Sequence, residues 1–144
     1  MKQSVLLSDS VHIMVYLATV TEPHLLKSDA IADSILTNPS NVRKIMGQLK
    51  KAGLITSQQG KASPQITKPL TDISLLDIFK SLPGENELLS VDKKTNLECK
   101  VGANIQAILQ ERYQEIQKIA EEEMAKTSLA ELVSDLTAQT ATCP

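Results

Sequence analysis

Residues 38–68 read NPSNVRKIMGQLKKAGLITSQQGKASPQITK, and they include six cations and no Asp or Glu. The acid-free window around them is wider and runs from residue 34 to residue 71. Because the whole chain has a formal net charge of −2, this local positive charge indicates a surface that meets a polyanion. The same segment contains the signals of a helix and of a β-hairpin.

A helix is predicted over residues 39–52. Asn38 is a favourable N-cap, Pro39 suits the first helical position because its missing N–H costs no hydrogen bond there, and Gly53 suits the C-terminal end. Apolar residues recur at i, i+3, i+4 and i+7 and are predicted to face inward: Val42, Ile45, Met46 and Leu49. The opposite face is polar and basic: Ser40, Asn41, Arg43, Lys44 and Gln48.

A shorter helix is predicted over residues 28–35, directly before the basic one. Ser28 is its predicted N-cap, and Asp29 lies in the first turn, where the helix dipole favours an anion. Another helix is predicted over residues 5–20. Two short helices joined by a tight turn, the second basic on its outer face, are typical of a helix-turn-helix, in which the second helix lies in the major groove of DNA. The alternative is an ordinary helix with a solvated basic face.

The segment after the basic helix favours the first interpretation. Residues 54–57 and 65–67 are predicted strands, since both contain β-branched residues and a turn-forming stretch lies between them. A β-hairpin with a basic tip directly after a basic helix is typical of a wing. Its tip is predicted to contact phosphates or the minor groove.

The second half of the chain is predicted to be helical apart from one long loop over residues 85–100. A helix over residues 74–82 begins with a capping box formed by Ser74 and Asp77. The longest helix is predicted over residues 101–126. A last helix over residues 128–136 opens with a second capping box, formed by Ser128 and Glu131.

The long helix carries an apolar stripe that a small winged helix cannot bury alone, because the helix spans roughly 37 Å at 1.5 Å per residue. The stripe is therefore predicted to pack against the same helix of a second copy. The predicted dimer interface contains Ile105, Leu109, Tyr113, Ile116 and Ala120. The alternative is a long helix that lies along its own domain.

Residues 42–82, VRKIMGQLKKAGLITSQQGKASPQITKPLTDISLLDIFKSL, resemble the winged-helix repressors of the Rrf-two family, which includes the IscR, NsrR and CymR regulators. Members share a recognition helix ending L-x-K-A-G-L-I/V-x-S, a wing beginning with Gly, and a following I-S/T-L-x-D-I helix. The matching positions here are residues 49–57, Gly60 and residues 73–78. The chain departs from the family's G-G-Y/F wing motif at Ser63-Pro64-Gln65, so the resemblance does not extend to the geometry of the wing.

The resemblance implies a homodimeric transcriptional repressor that reads a pseudo-palindromic operator on double-stranded DNA with the helix at 39–52 and the wing at 55–67. The predicted DNA contacts are Ser28, Pro39, Ser40, Asn41, Arg43, Lys44, Gln48, Lys51, Gln59, Lys61 and Ser63. The alternative is a winged-helix module that docks an acidic protein partner. The sequence indicates no particular small-molecule effector.

Cys99 lies at the end of the predicted loop, directly before the long helix. Members of the resembled family that hold an iron–sulfur cluster use three cysteines grouped in this loop, whereas Cys143 is the only other cysteine of this chain. Such clusters need a full set of ligands, so no cluster or other cofactor is expected. Cys99 is then either a small side chain near an interface or a thiol redox switch, and the nearby Lys93, Lys94 and Lys100 favour its thiolate.

The charge is divided unequally along the chain. Residues 1–82 contain nine Lys and Arg against six Asp and Glu, while residues 83–144 contain six against eleven. No apolar run is long enough to span a membrane, and the N-terminus does not resemble a signal peptide, so a cytoplasmic protein is expected. No phosphate loop, metal-ligand triad or nucleophile motif is present, so we predict no enzyme, no catalytic residues and no metal site.

The predicted fold is mainly α with a small β-hairpin: a winged helix-turn-helix followed by a long C-terminal dimerisation helix. Its predicted parts are a DNA-binding domain over residues 1–82, a loop and sensor region over residues 83–100, dimerisation helices over residues 101–137 and a flexible tail over residues 138–144. The basic half is predicted to contact DNA, and the acidic half to set the distance between two copies.

Overall fold

The computed structural model describes residues 2–57, 63–84 and 86–141. Within these ranges the chain is mostly helical and has one two-stranded antiparallel sheet, so the predicted fold class is confirmed. The α-helices are α1 (Lys2–Thr19), α2 (Ser28–Ile35), α3 (Pro39–Lys51), α4 (Leu75–Lys80), α5 (Lys100–Lys126) and α6 (Leu129–Ala141). The strands are β1 (Ile55–Thr56) and β2 (Gln65–Ile66), and short 3-10 helices cover Pro23–Leu25 and Leu70–Asp72.

The core is aliphatic and lies where α1, α2, α3, α4, the hairpin and the start of α6 meet. Its buried members are Ile13, Met14, Ile31, Ala32, Val42, Ile45, Leu49, Leu54, Ile55, Ile73, Ile78 and Leu129. Three of them, Val42, Ile45 and Leu49, come from the predicted inner face of α3. Burial of such side chains stabilises the fold by about 1.5–3 kcal/mol each and fixes which face of α3 points to solvent.

α3 begins where its sequence predicts. The backbone N–H of Asn41 donates to Asn38 Oδ1 at 2.8 Å, so Asn38 is the N-cap, and Pro39 is the first helical residue. Gly53 follows the helix with a φ of 79°, a left-handed conformation that Gly adopts without the steric cost of a Cβ. Ala52 is the C-cap residue and not the last helical one.

α2 ends in a tight turn but starts without the predicted cap. Lys27 occupies the N-cap position and its side chain makes no capping hydrogen bond, so the prediction of Ser28 as N-cap is wrong. Ser28 is already the first helical residue, one position too late for its hydroxyl to act as an N-cap. At the other end Leu36 has a φ of 65°, and the N–H of Thr37 donates to the carbonyl oxygen of Ala32 at 3.0 Å. The chain thereby turns towards α3.

β1 and β2 form a short hairpin beside the end of α3. The paired residues are Ile55 with Ile66 and Thr56 with Gln65. Thr67 holds the base of the hairpin: its N–H donates to the carbonyl oxygen of Leu54 at 3.1 Å and its Oγ1 donates to that of Gly53 at 2.6 Å. The position of the hairpin is therefore tied to the C-terminal end of α3.

Both predicted capping boxes are present. The N–H of Asp77 donates to Ser74 Oγ at 3.1 Å, and the N–H of Ser74 donates to Asp77 Oδ2 at 2.9 Å. At the start of α6 the N–H of Glu131 donates to Ser128 Oγ at 3.1 Å, and the N–H of Ser128 donates to Glu131 Oε2 at 3.4 Å. Each box satisfies backbone donors that have no partner within the helix.

The two capped helix starts lie side by side. The N–H of Leu75 donates to the carbonyl oxygen of Thr127 and the N–H of Leu129 donates to that of Ile73, both at 2.7 Å. Leu129 has no exposed surface and belongs to the core. α6 therefore returns to the winged-helix unit and packs on α1, a connection between residues far apart in the sequence.

Two helix boundaries differ from the predictions. α1 starts at Lys2, before the predicted range of 5–20. α6 continues to Ala141, so the flexible tail predicted over residues 138–144 is helical in its first part, and residues 142–144 lie outside the described residues. The extension is consistent with the absence of Gly and Pro between the predicted end of α6 and Ala141.

Candidate nucleic-acid interface

The outer face of α3 presents cations that have no carboxylate partner among the residues that the structure describes. Arg43, Lys44 and Lys51 are exposed, and in the described ranges 2–57, 63–84 and 86–141 the salt bridges belong to α5 and not to α3. Ser40, in the first turn, is exposed as well. The core residues of α3 fix its rotation, so these donors all point to solvent, where they are free to reach phosphates and base edges.

A cleft of about 480 Å³ lies between the N-terminus of α2, α3 and the hairpin. Its lining residues are Leu26, Lys27, Ser28, Asp29, Arg43, Met46, Ser57 and Pro64. The cleft thus brings together Ser28 and Arg43, two predicted contacts that are distant in sequence. Lys27 was missed by the sequence analysis; the signal for it is a cation directly before a helix N-terminus, where it adds to the positive end of the dipole.

Three predicted contacts, Pro39, Asn41 and Gln48, are partly buried in the protein. Pro39 is half-buried in the first turn, and Asn41 donates through Nδ2 to Thr37 Oγ1 at 3.1 Å. Gln48 is half-buried, and its Oε1 is buried without a hydrogen-bond partner among the residues that the structure describes. Asn41 and Gln48 are therefore less free to turn towards a ligand than Arg43 and Lys44 are.

The wing is described only at its base. Gln59 and Lys61 lie outside the described residues, so their DNA contacts stay predictions. Ser63 is half-buried and lines a neighbouring cleft next to α1, not the cleft that contains Arg43. Lys50 donates through Nζ to Ser57 Oγ at 2.8 Å, which links the end of α3 to the residue after β1.

α5 exposes an apolar face along its whole length, and none of its 27 residues is buried. The predicted interface residues are only half-buried (Ile105, Leu109, Tyr113 and Ala120) or exposed (Ile116, at 49%). A second set is more exposed: Val101 at 68%, Ile108 at 55% and Ile119 at 66%. At about 100° per residue these three lie within about 20° of one another around the helix axis. All three belong to the apolar stripe that the sequence predicts on this helix, at spacings of seven and eleven residues, but they are not among the predicted interface residues.

The loop before α5 is fastened along that helix by two glutamines. Gln117 accepts through Oε1 from the N–H of Leu88 at 3.0 Å and donates through Nε2 to the carbonyl oxygen of Asn86 at 3.0 Å. Gln106 donates through Nε2 to Thr95 Oγ1 at 2.7 Å. The loop has no regular secondary structure between residues 86 and 99, but these amides hold its backbone on α5.

Cys99 is the exposed N-cap residue of α5. The backbone N–H groups of Gly102 and Val101 in the first turn of α5 lower the pKa of its thiol, because they favour the thiolate. Gly102 is needed for the close approach of the loop, since a Cβ there would overlap the carbonyl oxygen of Asn96. The loop thus delivers Cys99 to the positive end of the α5 dipole.

The described residues do not fit a metal centre. No group of three or more His, Cys, Asp or Glu in ranges 2–57, 63–84 and 86–141 could hold a metal ion. Cys99 is the one cysteine in those ranges, and Cys143 lies outside them. The absence of a cluster or other cofactor stays a prediction.

In the described ranges 2–57, 63–84 and 86–141, no helix is both long enough and apolar enough to cross a membrane.

A helix-turn-helix with an exposed basic second helix, a hairpin tied to the end of that helix and a long exposed helix after it define a winged-helix transcription regulator. Comparison with known proteins agrees. Residues 4–135 match the Rrf2 family, described as iron-dependent transcriptional regulators. The chain therefore belongs to the Rrf2 family of transcriptional regulators, as its motifs predicted, and it is not an enzyme.

Individual relatives support the same assignment. The chain is 35% identical over 130 residues to YwnA of Bacillus subtilis (strain 168), which carries the name of an HTH-type transcriptional regulator; the match covers 90% of this chain and 96% of YwnA. A crystal structure described as a DNA-binding protein is 32% identical, has a TM-score of 0.67, and the match covers 88% of this chain and 97% of that one. CymR of B. subtilis, at 18% identity and a TM-score of 0.63 over 90% of this chain and 93% of its own, shares the fold.

Proposed function

We propose that the chain is a homodimeric, DNA-binding repressor that reads a pseudo-palindromic operator with α3 and the wing. The observation that carries the proposal is the exposed face of α3, whose cations have no carboxylate partner among the described residues and stand beside the positive N-terminus of α2. In a helix-turn-helix this face enters the major groove. Because a regulator of this kind works where the DNA lies, we place it in the cytoplasm.

The proposed contacts fall into two groups. Ser40, Asn41, Arg43 and Lys44 supply base and backbone contacts from the first turns of α3. Ser28, Lys51, Gln59, Lys61 and Ser63 supply contacts to phosphates, and Pro39 positions the start of the helix. Gln48 is the weakest member of the predicted set, since its Oε1 is turned into the protein.

Fluorescence anisotropy with operator DNA, after selection of bound genomic fragments, tests these roles. Arg43→Ala is expected to weaken operator binding by about 1–3 kcal/mol and to relax sequence preference at one base pair in each half-site. Lys61→Ala is expected to weaken binding to all sequences and to reduce the salt slope by about one unit. Arg112→Ala is the matched control: it removes a cation from α5, where Arg112 pairs with Glu115 at 3.9 Å, and should change neither property.

An equal loss of affinity for every DNA sequence in Arg43→Ala would mean that Arg43 contacts the DNA backbone and not a base.

The rival function is a module that docks an acidic protein partner through the same basic face. If the protein shows no preference for any selected promoter fragment over bulk DNA, the rival is favoured and the repressor proposal fails. A reporter gene whose expression falls when the protein binds its promoter distinguishes repression from activation.

The second copy is proposed to pack on α5. The exposed side chains of Val101, Ile108, Ile116 and Ile119 form an apolar surface that the described part of the chain does not cover. Exposed apolar surface of this kind marks an interaction site, and a dimer with two-fold symmetry presents two copies of α3 to one DNA duplex. Dimers bind half-sites about 10 base pairs apart, so the selected fragments should contain inverted repeats with that spacing.

We also propose that Cys99 modulates DNA binding through its redox state. Its exposure and its place at the N-terminus of α5, where backbone N–H groups lower the thiol pKa, support a reactive thiolate. A lowered pKa means that the folded protein holds more thiolate than the unfolded chain near neutral pH. Cys99 should therefore react faster with iodoacetamide when folded than in urea, with Cys143→Ser present so that one thiol is measured.

Treatment with hydrogen peroxide should then change operator affinity in the Cys143→Ser protein and leave Cys99→Ser unchanged. If oxidised and reduced proteins bind the operator equally, Cys99 is a structural residue and the redox proposal fails. Because no metal-binding group is present among the described residues, we propose that this regulation proceeds without an iron–sulfur cluster.

A further inference from the structure

A groove between α1, α4 and α6 lies apart from the proposed DNA contacts. It has a volume of about 680 Å³. Its apolar walls are Leu7, Val11, Val15, Leu75, Leu132 and Leu136. This volume falls in the range of about 300–1,000 Å³ that small-molecule sites occupy, and such sites combine apolar walls with a few polar groups.

The polar lining of the groove includes a hydrogen-bonded pair, His12 and Ser34, beside Ser8, Tyr16 and Thr19. His12 Nε2 and Ser34 Oγ are 2.8 Å apart, and the second ring nitrogen of His12 has no hydrogen-bond partner among the described residues. The hydroxyl groups of Tyr16 and Thr19 already donate hydrogen bonds within the protein. Tyr16 donates to the carbonyl oxygen of Leu25 at 2.7 Å, and Thr19 donates to that of Val15 at 2.9 Å. The His12–Ser34 pair therefore has hydrogen-bonding capacity left for a ligand.

The charges around the groove disfavour an anion. Burial raises the pKa of Tyr16, and the negative charges of Glu22 and Asp33 raise it further. Among the described residues, no Lys or Arg lines the groove to offset these carboxylates. A ligand that carries a carboxylate or phosphate would be repelled, whereas an uncharged one would not.

We propose that this groove binds a small uncharged molecule with an apolar body and one hydroxyl or carbonyl oxygen, which hydrogen-bonds to the His12–Ser34 pair. The ligand would touch two parts of the molecule at once: Ser34 belongs to α2 of the helix-turn-helix, while Leu132 and Leu136 belong to α6, which follows α5. Binding therefore fixes the position of α6 relative to the helix-turn-helix. Because α6 follows α5 directly in the chain, it also restrains the C-terminal end of α5. The role of the ligand as an effector rests on the proposed function; its binding does not.

Two probes of the same shape test the site: 2-naphthol, which carries one hydroxyl, and naphthalene, which carries none. Both are titrated into the full chain and followed by fluorescence. We expect one saturable site per chain, and we expect His12→Ala to weaken 2-naphthol binding about fivefold, the value of one net hydrogen bond, without changing naphthalene binding. His24→Ala is the matched control, since His24 is exposed in the 3-10 helix Pro23–Leu25 and does not line the groove.

Val11→Phe and Val15→Phe, which fill the groove from α1, should weaken both probes, and circular dichroism shows which of the two variants keeps the fold. Binding that none of these variants changes, or no saturable binding at all, overturns the proposal. Operator affinity is then measured with and without 2-naphthol, and we expect it to change in the wild type and to change less in His12→Ala.

The two proposals fail differently. If operator DNA binds and neither probe does, the ligand site is overturned while the repressor stands. If 2-naphthol binds in a His12-dependent way and no DNA fragment is preferred, the ligand site is supported and the repressor fails. If both bind but 2-naphthol leaves operator affinity unchanged, the effector role is overturned.

Discussion

α3 and α5 carry similar apolar stripes, yet their surroundings differ. α3 has 13 residues, and three of them, Val42, Ile45 and Leu49, are buried in the core of the winged-helix unit. α5 has 27 residues and none is buried. An apolar period in the sequence therefore indicates a helix with one face to cover, but not which molecule covers it. For α3 the cover is its own chain, and for α5 we propose a second copy.

The largest expected effect is a difference in the free energy of unfolding between substitutions in the apolar stripes of α3 and α5. Ile45→Ala should lower the free energy of unfolding by about 3 kcal/mol, because Ile45 has no exposed surface and its truncation leaves a cavity. Ile119→Ala, at a position 66% exposed, should change it by less than about 0.5 kcal/mol. Urea unfolding at a protein concentration low enough to keep copies apart measures both. Equal losses would mean that α5 is covered by its own chain.

The next effect concerns assembly. Ile119→Asp should weaken self-association by about 1.5–3 kcal/mol, roughly tenfold to a hundredfold in the dissociation constant, because the apolar side chain is removed from the proposed interface. Gln110→Asp, an exposed polar position on the same helix, is the control. Sedimentation equilibrium measures both variants. If Ala120→Asp dissociates the dimer and Ile119→Asp does not, the half-buried residues predicted from the sequence form the interface instead.

A smaller effect is expected where α6 joins the winged-helix unit. Ser128→Ala should cost about 1 kcal/mol of unfolding free energy, because it removes a capping hydrogen bond at the start of α6. Ser134→Ala, at an exposed position within α6, should change it by less than about 0.5 kcal/mol. Thermal unfolding measures the difference. A cost of Ser128→Ala no larger than that of the control would show that α6 is not held at its first turn.

The smallest expected effect is a gain. Leu36→Gly should raise the unfolding free energy by up to about 1 kcal/mol, because Leu36 has a φ of 65° and its side chain is 91% exposed. Gly keeps the left-handed conformation without the steric strain of a Cβ, and this gain outweighs the small packing energy of so exposed a side chain. Leu36→Ala keeps a Cβ and should not stabilise. A loss of stability on Leu36→Gly, measured in urea, would show that this exposed side chain stabilises the turn.

The features that could be predicted from the sequence depend on neighbours in the chain. The Asn38 cap, the left-handed Gly53 and both capping boxes are formed by residues at most four positions apart, and each is present. The N-cap of α2 was predicted one residue too late, because Lys27 takes that position without any side-chain hydrogen bond to signal it. The basic face of α3 in the candidate site could be predicted from the sequence. Lys27 and the cleft between α2, α3 and the hairpin could not.

Periodicity, capping and charge are local properties of the chain, so the helices, the helix-turn-helix with its basic outer face and the family could all be predicted from the sequence. Three other features depend on how the chain packs. The tertiary structure showed that α6 returns to the core through Leu129, that Gln106 and Gln117 fasten the loop on α5, and that the most exposed apolar line of α5 includes Ile119. Each depends on residues brought together across the chain, and burial is a property of the packed molecule that no short segment encodes.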